Sequence, residues 1–169
     1  MTIAPAKKGL TVLTDPNPQL RKVSEDVSVE ELQTDEMKKF LSELYKTMLD
    51  DDGIGIAAPQ VGVAKRICFI SDVGKNPRVL INPEIAWSSK TMISMQEGCL
   101  SVPNVFGPVT RPKAVHIKAL DENGKKLKIK AKGWLSRVTQ HEIDHLDGIL
   151  FVDKADYLEK NNDEKQSLL

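Results

Sequence analysis

Residues 133–148 read GWLSRVTQHEIDHLDG, and this segment carries the clearest structural pattern in the chain. Trp134, Val138, His141 and His145 recur at spacings of three and four residues, which is the repeat of one face of an α-helix. A glycine closes the segment, as is typical of a helix end. We therefore predict a helix whose apolar face also carries both histidines.

The two histidines indicate a metal site. Histidines four residues apart on a helix project from one face and can hold the same ion, and Glu142 then lies beside them as a base. The alternative is that both are ordinary surface or core residues near a helix end. The metal interpretation is favoured because the chain has only three histidines and two of them are here.

A third ligand is expected upstream of the histidines. The downstream glutamates, Glu159 and Glu164, lie in a polar tail that is poorly suited to hold an ion. Cys99 is the best candidate, because it lies in the segment EGCLS with a glycine beside it and a thiolate binds iron or zinc strongly. The alternative is a buried, unreactive thiol.

The rest of the chain predicts an α+β fold. Ser28 and Glu31 match a capping box, and apolar residues at helical spacing predict a helix over residues 35–50. Segments rich in Ile and Val predict strands, and residues 113–131 resemble an antiparallel hairpin. The predicted strands cover residues 67–71, 79–82, 99–102, 114–120 and 125–130, with a short strand or turn at 149–152.

We expect one domain over residues 1–169, with a polar tail that frays from about residue 161. In this fold, mainly antiparallel β-sheets pack around a central helix that carries the HExxH motif, and another helix lies in the N-terminal half.

Composition excludes several function classes. The charges of the 24 basic and 24 acidic residues cancel, and residues of neither sign form a long block. We therefore expect no electrostatic binding to nucleic acid or to an anionic membrane. No segment approaches the roughly 20 apolar residues of a membrane span, and a cytoplasmic location is expected. Two cysteines cannot build a disulfide framework, and Cys68 has the pattern of a buried strand residue.

A glycine-bearing segment, GIGIAAPQ at residues 53–60, precedes the first predicted strand. Its small residues let a ligand or another backbone come close. A phosphate-binding loop is excluded, because no Lys-Ser/Thr pair follows and no strand leads into it. Gln60 is the one side chain here that offers a functional amide.

These three segments together resemble the peptide deformylase family of the bacterial type. Its pattern is a glycine-alanine loop ending in Gln, then EGCLS, then QHExDHLxG, and all three are present here in that order. The resemblance runs from about residue 10 to residue 152. It implies a hydrolase that removes the N-formyl group from formyl-methionine at the start of new proteins. Some members carry an arginine where this chain has Phe106, in the loop expected at residues 102–111.

The resemblance also implies roles for individual residues. Cys99, His141 and His145 would hold one divalent metal, with Fe²⁺ as the native ion and Zn²⁺, Ni²⁺ or Co²⁺ as substitutes. Glu142 would act as general base and then as general acid. The Gln60 amide and the backbone N–H of Leu100 would donate to the oxygen that becomes negative.

Further residues are assigned around this centre. Ile54, Gly55 and Val138 are candidates for the apolar pocket that receives methionine, whereas core packing is the favoured role for Trp134. Glu97 and Asp144 are expected to orient the histidines or to pair with Arg111, and a purely structural ion-pair role is an equal alternative.

Rival functions remain open at this point. A zinc endopeptidase would cut internal peptide bonds, a non-catalytic module would bind formyl peptides without hydrolysis, and a cysteine hydrolase would ignore chelators. The expected partners are N-formyl-methionyl nascent peptides, with transient ribosome proximity. We expect a monomer that binds neither nucleic acid nor membrane.

Overall fold

The computed structural model describes residues 9–72 and 76–161. Its central element is helix α3, Gly133–Leu146, in which every residue from Ser136 onward is buried. A helix that is buried on all sides must lie inside the protein, with other elements packed around it. The prediction of a central helix over the HExxH motif is confirmed.

In the described part of the chain, eight strands form two antiparallel sheets around this helix. In chain order they are β1 (Gly55–Ala57), β2 (Ile67–Ile70), β3 (Arg78–Ser88), β4 (Met92–Cys99), β5 (Val102–Pro112), β6 (Ala114–Leu120), β7 (Lys126–Lys132) and β8 (Glu159–Lys160). The five-stranded sheet has the order β1-β2-β3-β6-β7, and the three-stranded sheet has the order β4-β5-β8. The predicted α+β class is confirmed.

The five-stranded sheet is covered on both faces near β2. Ile67 and Phe69 point to helix α2, Asp35–Asp50, whereas Cys68 and Ile70 belong to the cluster packed on α3. A strand covered on both faces needs apolar side chains at every position, which explains the unbroken apolar run of β2. The prediction that Cys68 is a buried strand residue is confirmed.

Helix α2 spans the predicted residues, but its capping was assigned wrongly. Ser28 and Glu31 do form a capping box, yet this box opens a separate one-turn helix, α1, Val29–Leu32. Helix α2 starts instead at Thr34, whose hydroxyl accepts a hydrogen bond from Met37 N at 3.2 Å.

The β6–β7 hairpin is confirmed, but the region around Cys99 was predicted wrongly. Residues 99–102 are not one strand, because Cys99 ends β4 and Val102 begins β5. The expected loop at 102–111 is strand β5, which pairs with β4 along most of its length. Prolines and a glycine lower the local strand propensity of this segment, and pairing with β4 overrides it.

Shorter connections also differ from expectation. The glycine segment contains β1 and a 3₁₀ helix, Ala58–Val61, and the predicted strand or turn near residue 150 is a 3₁₀ helix, Phe151–Asp153. Except for Asn161, the tail predicted to fray lies outside the described residues. Among the helices described, none is long and apolar enough to cross a membrane.

Candidate metal centre and active site

The three predicted metal ligands meet in one place. Cys99 ends β4, His141 and His145 lie one turn apart on α3, and a ligand atom from each lies within 4.8 Å of the others. Cys99 Sγ lies 3.3 Å from His145 Nε2. All three side chains are buried. Strand and helix therefore bring together residues that are more than 40 positions apart in the chain.

The donor set fits a divalent metal ion. A sulfur and an imidazole nitrogen bound to one tetrahedral ion lie about 3.5 Å apart, because the two bonds are about 2.3 and 2.1 Å long. Burial raises the pKa of the Cys99 thiol to about 12, so a thiolate needs a nearby cation. Burial holds the pKa of His145 well below its ordinary value, so this ring stays neutral, as a metal ligand must.

Glu142 lies beside this cluster in a buried position. Burial, with a contribution from the charge of Glu97, raises the pKa of Glu142 well above its ordinary value. Within the described residues, Glu142 Oε2 has no hydrogen-bond partner. A buried carboxylate oxygen without a partner is costly unless a ligand or water satisfies it, so the site is built to receive a polar group.

Gly55 leaves room for this carboxylate. A methyl group added at Gly55 would lie 2.8 Å from Glu142 Cδ, closer than such atoms can approach. Ile54, next to it, packs with Val138 and Trp134 in the cluster that covers α3. The three predicted pocket residues, Ile54, Gly55 and Val138, therefore lie on the side of α3 that carries Glu142, and their contact with substrate stays a prediction.

Gln60 is held in a defined orientation at the cluster. Its Oε1 accepts a hydrogen bond from Ala57 N at 2.8 Å, which leaves the amide nitrogen to point inward. Nε2 donates to Ser101 Oγ at 3.2 Å and lies 3.5 Å from Cys99 Sγ. Leu100 occupies the turn between β4 and β5, directly after the cysteine.

The predicted acidic residues form a buried network behind His141. His141 Nδ1 donates to Glu97 Oε2 at 2.9 Å, which leaves its Nε2 free to bind a metal. Arg111 donates to both oxygens of Glu97, at 2.6 and 2.9 Å, and to Asp144 at 2.6 Å. Burial alone would raise the pKa of Glu97, but hydrogen bonds from Arg111 and His141 outweigh it and lower the pKa.

Arg137 belongs to the same network and was missed from the sequence. It is buried, donates to Glu97 Oε1 at 2.7 Å, and also bonds the carbonyls of Val109 and Ile93, each at 2.7 Å. Its position four residues before His141, on the same helix face, was the available signal. Two guanidinium groups thus surround one carboxylate that orients a predicted metal ligand.

Phe106 lies in strand β5 and not in the loop expected at residues 102–111. It is a buried residue of β5 that pairs with Glu159 of β8. The carbonyl oxygen of Tyr157 lies so close to the neighbouring Gly107 that no side chain fits there. Strand β8 and the segment before it therefore cover this part of β5. A cavity of about 700 Å³ lies elsewhere, between α2 and the tip of the β6–β7 hairpin, away from the metal-ligand cluster.

Comparison with known proteins agrees with this geometry. A family model described as polypeptide deformylase matches residues 10–161. The chain belongs to this family. The family predicted from the three sequence motifs is therefore confirmed. Its members are hydrolases.

Individual relatives are similar over most of their length. The chain is 45% identical to a peptide deformylase of Treponema pallidum over 147 residues, which is 87% of each protein. A crystal structure of a peptide deformylase from Synechococcus elongatus in complex with actinonin has a TM-score of 0.82 and 38% identity, covering 93% of this chain and 87% of that one. A class I type b peptide deformylase from Acinetobacter baumannii, bound to Met-Ala-Ser, has a TM-score of 0.82 and 35% identity, covering 88% of this chain and 99% of that one.

Proposed function

We propose that this protein is a peptide deformylase that hydrolyses the formyl amide of N-terminal formyl-methionine and releases formate. The observation that carries the proposal is the buried cluster of Cys99, His141 and His145 with Glu142 beside it. The Acinetobacter baumannii relative was solved with Met-Ala-Ser bound, and this is the peptide that deformylation of formyl-Met-Ala-Ser would leave.

Cys99, His141 and His145 would hold one divalent ion, with Fe²⁺ as the proposed native ion. When bound, the ion supplies Lewis acidity, which lowers the pKa of water and polarises a carbonyl oxygen. Zn²⁺, Ni²⁺ and Co²⁺ share the required ligand preferences and are proposed as substitutes.

Glu142 would move the proton. Its raised pKa suits a carboxylate that takes a proton from the attacking water and later delivers it to the amine nitrogen of the leaving peptide. Because Gly55 has no side chain, the carboxylate of Glu142 can lie directly against β1.

Gln60 and Leu100 would stabilise the negative charge that develops on the formyl oxygen. The Gln60 amide already points to the cluster because Ala57 holds its oxygen. The backbone N–H of Leu100 is the second proposed donor. Such donors are most effective when they are oriented before the reaction, and losing one typically costs a hundredfold or more in rate.

Glu97, Arg111 and Asp144 are proposed to keep His141 in place, and Ile54, Gly55 and Val138 to contact the methionine side chain. We further propose that the chain acts as a single-domain monomer in the cytoplasm, with transient proximity to ribosomes through its nascent-peptide substrates.

The decisive experiment is formate release from formyl-Met-Ala-Ser. Protein is purified without oxygen, loaded with Fe²⁺ and compared with a chelated sample, and acetyl-Met-Ala-Ser serves as the matched control substrate. We expect formate from the formyl peptide, none after chelation and no cleavage of the acetyl peptide. Formate release that survives chelation would support a cysteine hydrolase. Cleavage of internal peptide bonds would support an endopeptidase. Binding of the formyl peptide without formate release would support a non-catalytic module.

A further inference from the structure

The β6–β7 hairpin concentrates positive charge in a protein whose total charge is zero. Residues 113–132 contain seven lysines and two acidic residues. Strand β7 alternates regularly, so that Leu127, Ile129 and Ala131 face the core while the lysines between them are exposed. The exposed lysines of β7 are Lys126, Lys128, Lys130 and Lys132.

The strand register extends this positive surface across two more strands. Lys118 of β6 lies directly opposite Lys128, and His116 lies opposite Lys130. On the next strand, Trp87 pairs with His116, and the two rings are in contact, with their centres 4.5 Å apart and their planes tilted by 35°. The surface formed by the four lysines of β7 with Lys118, His116 and Trp87 is called here the lysine face.

Among the described residues, few acidic side chains lie beside the lysine face. In the part of the chain that the structure describes, none of its lysines forms a salt bridge; the lysines that do are Lys38, Lys39, Lys65 and Lys154. Glu84 lies opposite Lys118 in the strand register, and Asp72 lines a small cavity together with Lys128 and Lys130. Like charges directly opposite on neighbouring strands are destabilising, so this arrangement costs stability unless an anion binds there.

Protection of a sheet edge explains only part of this surface. Strand β7 is the last strand of its sheet, and lysines on an edge strand prevent pairing with other chains. Lys118 and His116, however, lie on the inner strand β6, and Trp87 lies on β3. Trp87 is also half exposed, at 49%, which edge protection does not require.

We propose that the lysine face binds single-stranded RNA. A row of cations beside an exposed aromatic pair is the combination that holds phosphates and stacks bases in single-strand binding. Lys126 to Lys132 span about 20 Å along the strand, which is the length of roughly six stacked nucleotides. The choice of RNA over other polyanions rests on the proposed function, because a nascent-peptide substrate is made on RNA.

The lysine face is separate from the metal-ligand cluster. Val115, Ile117 and Ala131, on the other face of the same strands, pack against Val138 and Leu146 of α3. Bound RNA would therefore leave the predicted active site open. The overall charge balance had indicated no such surface, because composition averages charges that the fold gathers on one face.

The test is fluorescence anisotropy with a labelled 20-nucleotide oligo(U) at about 50 and 200 mM salt. We expect wild type to bind with a Kd of about 10 µM or tighter at the lower salt, with a slope of log affinity against log salt of about −3. The triple variant K118Q/K128Q/K130Q is expected to reduce this slope to about −1, since each phosphate contact contributes about 0.7. W87A is expected to weaken binding at least about fivefold.

The matched control is K38Q/K39Q/K46Q, which removes the same charge from exposed positions on α2. It should bind oligo(U) within about twofold of wild type. Formate release should be unchanged in all variants, so failure of RNA binding and failure of deformylation are read separately. The lysine-face triple variant should melt no lower than wild type, because it relieves the Lys118–Lys128 repulsion.

Three outcomes would overturn the proposal. The first is wild type that fails to bind oligo(U) at 50 mM salt, and the second is a control variant that loses as much affinity as the lysine-face variant. The third is a preference for oligo(dT) or for vesicles containing phosphatidylserine over oligo(U).

Discussion

At the residue scale, the site is defined by a few buried polar groups with separate tasks. Among the described residues, one oxygen of Glu142 has no hydrogen-bond partner, whereas both oxygens of Glu97 accept hydrogen bonds from Arg111, Arg137 and His141. One carboxylate is thus available for proton transfer, and the other is fixed in orientation. This difference in hydrogen bonding, rather than residue type, separates the proposed catalytic acid from the supporting one.

Glu142→Gln tests the first of these carboxylates. The variant keeps the three metal ligands but loses a group that can accept a proton, so we expect metal content within about 20% of wild type and formate release reduced at least a hundredfold. Elemental analysis and the formate assay measure the two effects. Retention of a tenth of the wild-type rate would contradict the proposed role.

Arg137→Met tests the residue that sequence patterns missed. It removes one of two cations from a carboxylate that is itself fully buried, so we expect the free energy of unfolding to fall by about 3 kcal/mol. Urea denaturation measures this change. Arg78→Met, at an exposed arginine, is the control and should change stability by less than about 0.5 kcal/mol.

At the element scale, short segments place these residues. Strand β1 is only three residues long, yet it pairs with β2 and places Gly55 against Glu142 of α3. Helix α2 closes the opposite face of the same sheet. The position of the site therefore depends on how closely these elements approach one another.

Gly55→Ala tests the approach of β1 to α3. The added methyl group would overlap the Glu142 carboxylate, so the carboxylate must move and we expect kcat to fall at least tenfold, while the ligand cluster still binds metal. Gly53→Ala is the milder control, because its new contacts begin at 3.2 Å. Equal activity of the two variants would show that the close approach at Gly55 does not matter.

Thr34→Ala tests the start of α2. The hydroxyl satisfies a backbone N–H that otherwise has no partner in the helix, so its loss should destabilise the protein by about 1 kcal/mol. Thermal or urea denaturation measures the change, and Thr34→Ser, which keeps the hydroxyl, should restore most of it. Formate release at a temperature well below melting should remain unchanged in both.

At the scale of the whole molecule, burial of the centre links stability to pH. The pKa of His145 is held well below its ordinary value by burial, so the folded protein keeps this ring neutral. The unfolded chain takes up a proton below about pH 6.5. The unfolded state then binds more protons than the folded state, and stability falls as the pH decreases below that value.

Metal-free protein should therefore lose stability between pH 7.5 and 5.5. The contribution of His145 to this loss is about 1.4 kcal/mol, from the change in protonation of the unfolded chain alone. The measurement is urea denaturation at both pH values, for wild type and for His145→Asn. A loss of the same size in the variant would show that His145 is not the group responsible.

Features that depend on local geometry could be predicted from the amino-acid sequence. Residues four apart on a helix share a face whatever the rest of the chain does, so the pairing of His141 with His145 and the place of Glu142 could be predicted. The apolar repeat of α2 and the alternation in the β6–β7 hairpin are local in the same sense. Cys99 was reached indirectly, because the downstream glutamates are poor ligands and a thiolate binds iron or zinc strongly, and no spacing rule connects it to α3.

Features that depend on contacts between distant segments could not be predicted in this way and are seen in the folded protein. Strand β5 contains prolines and a glycine and resembled a loop, and it becomes a strand because β4 supplies its hydrogen bonds. Arg137 reaches Glu97 across 40 positions of the chain. The lysine face extends to Trp87 because β3 pairs with β6 and sets Trp87 opposite His116. Each of these features follows from long-range packing. Local propensity and composition do not say which distant segments pair with each other.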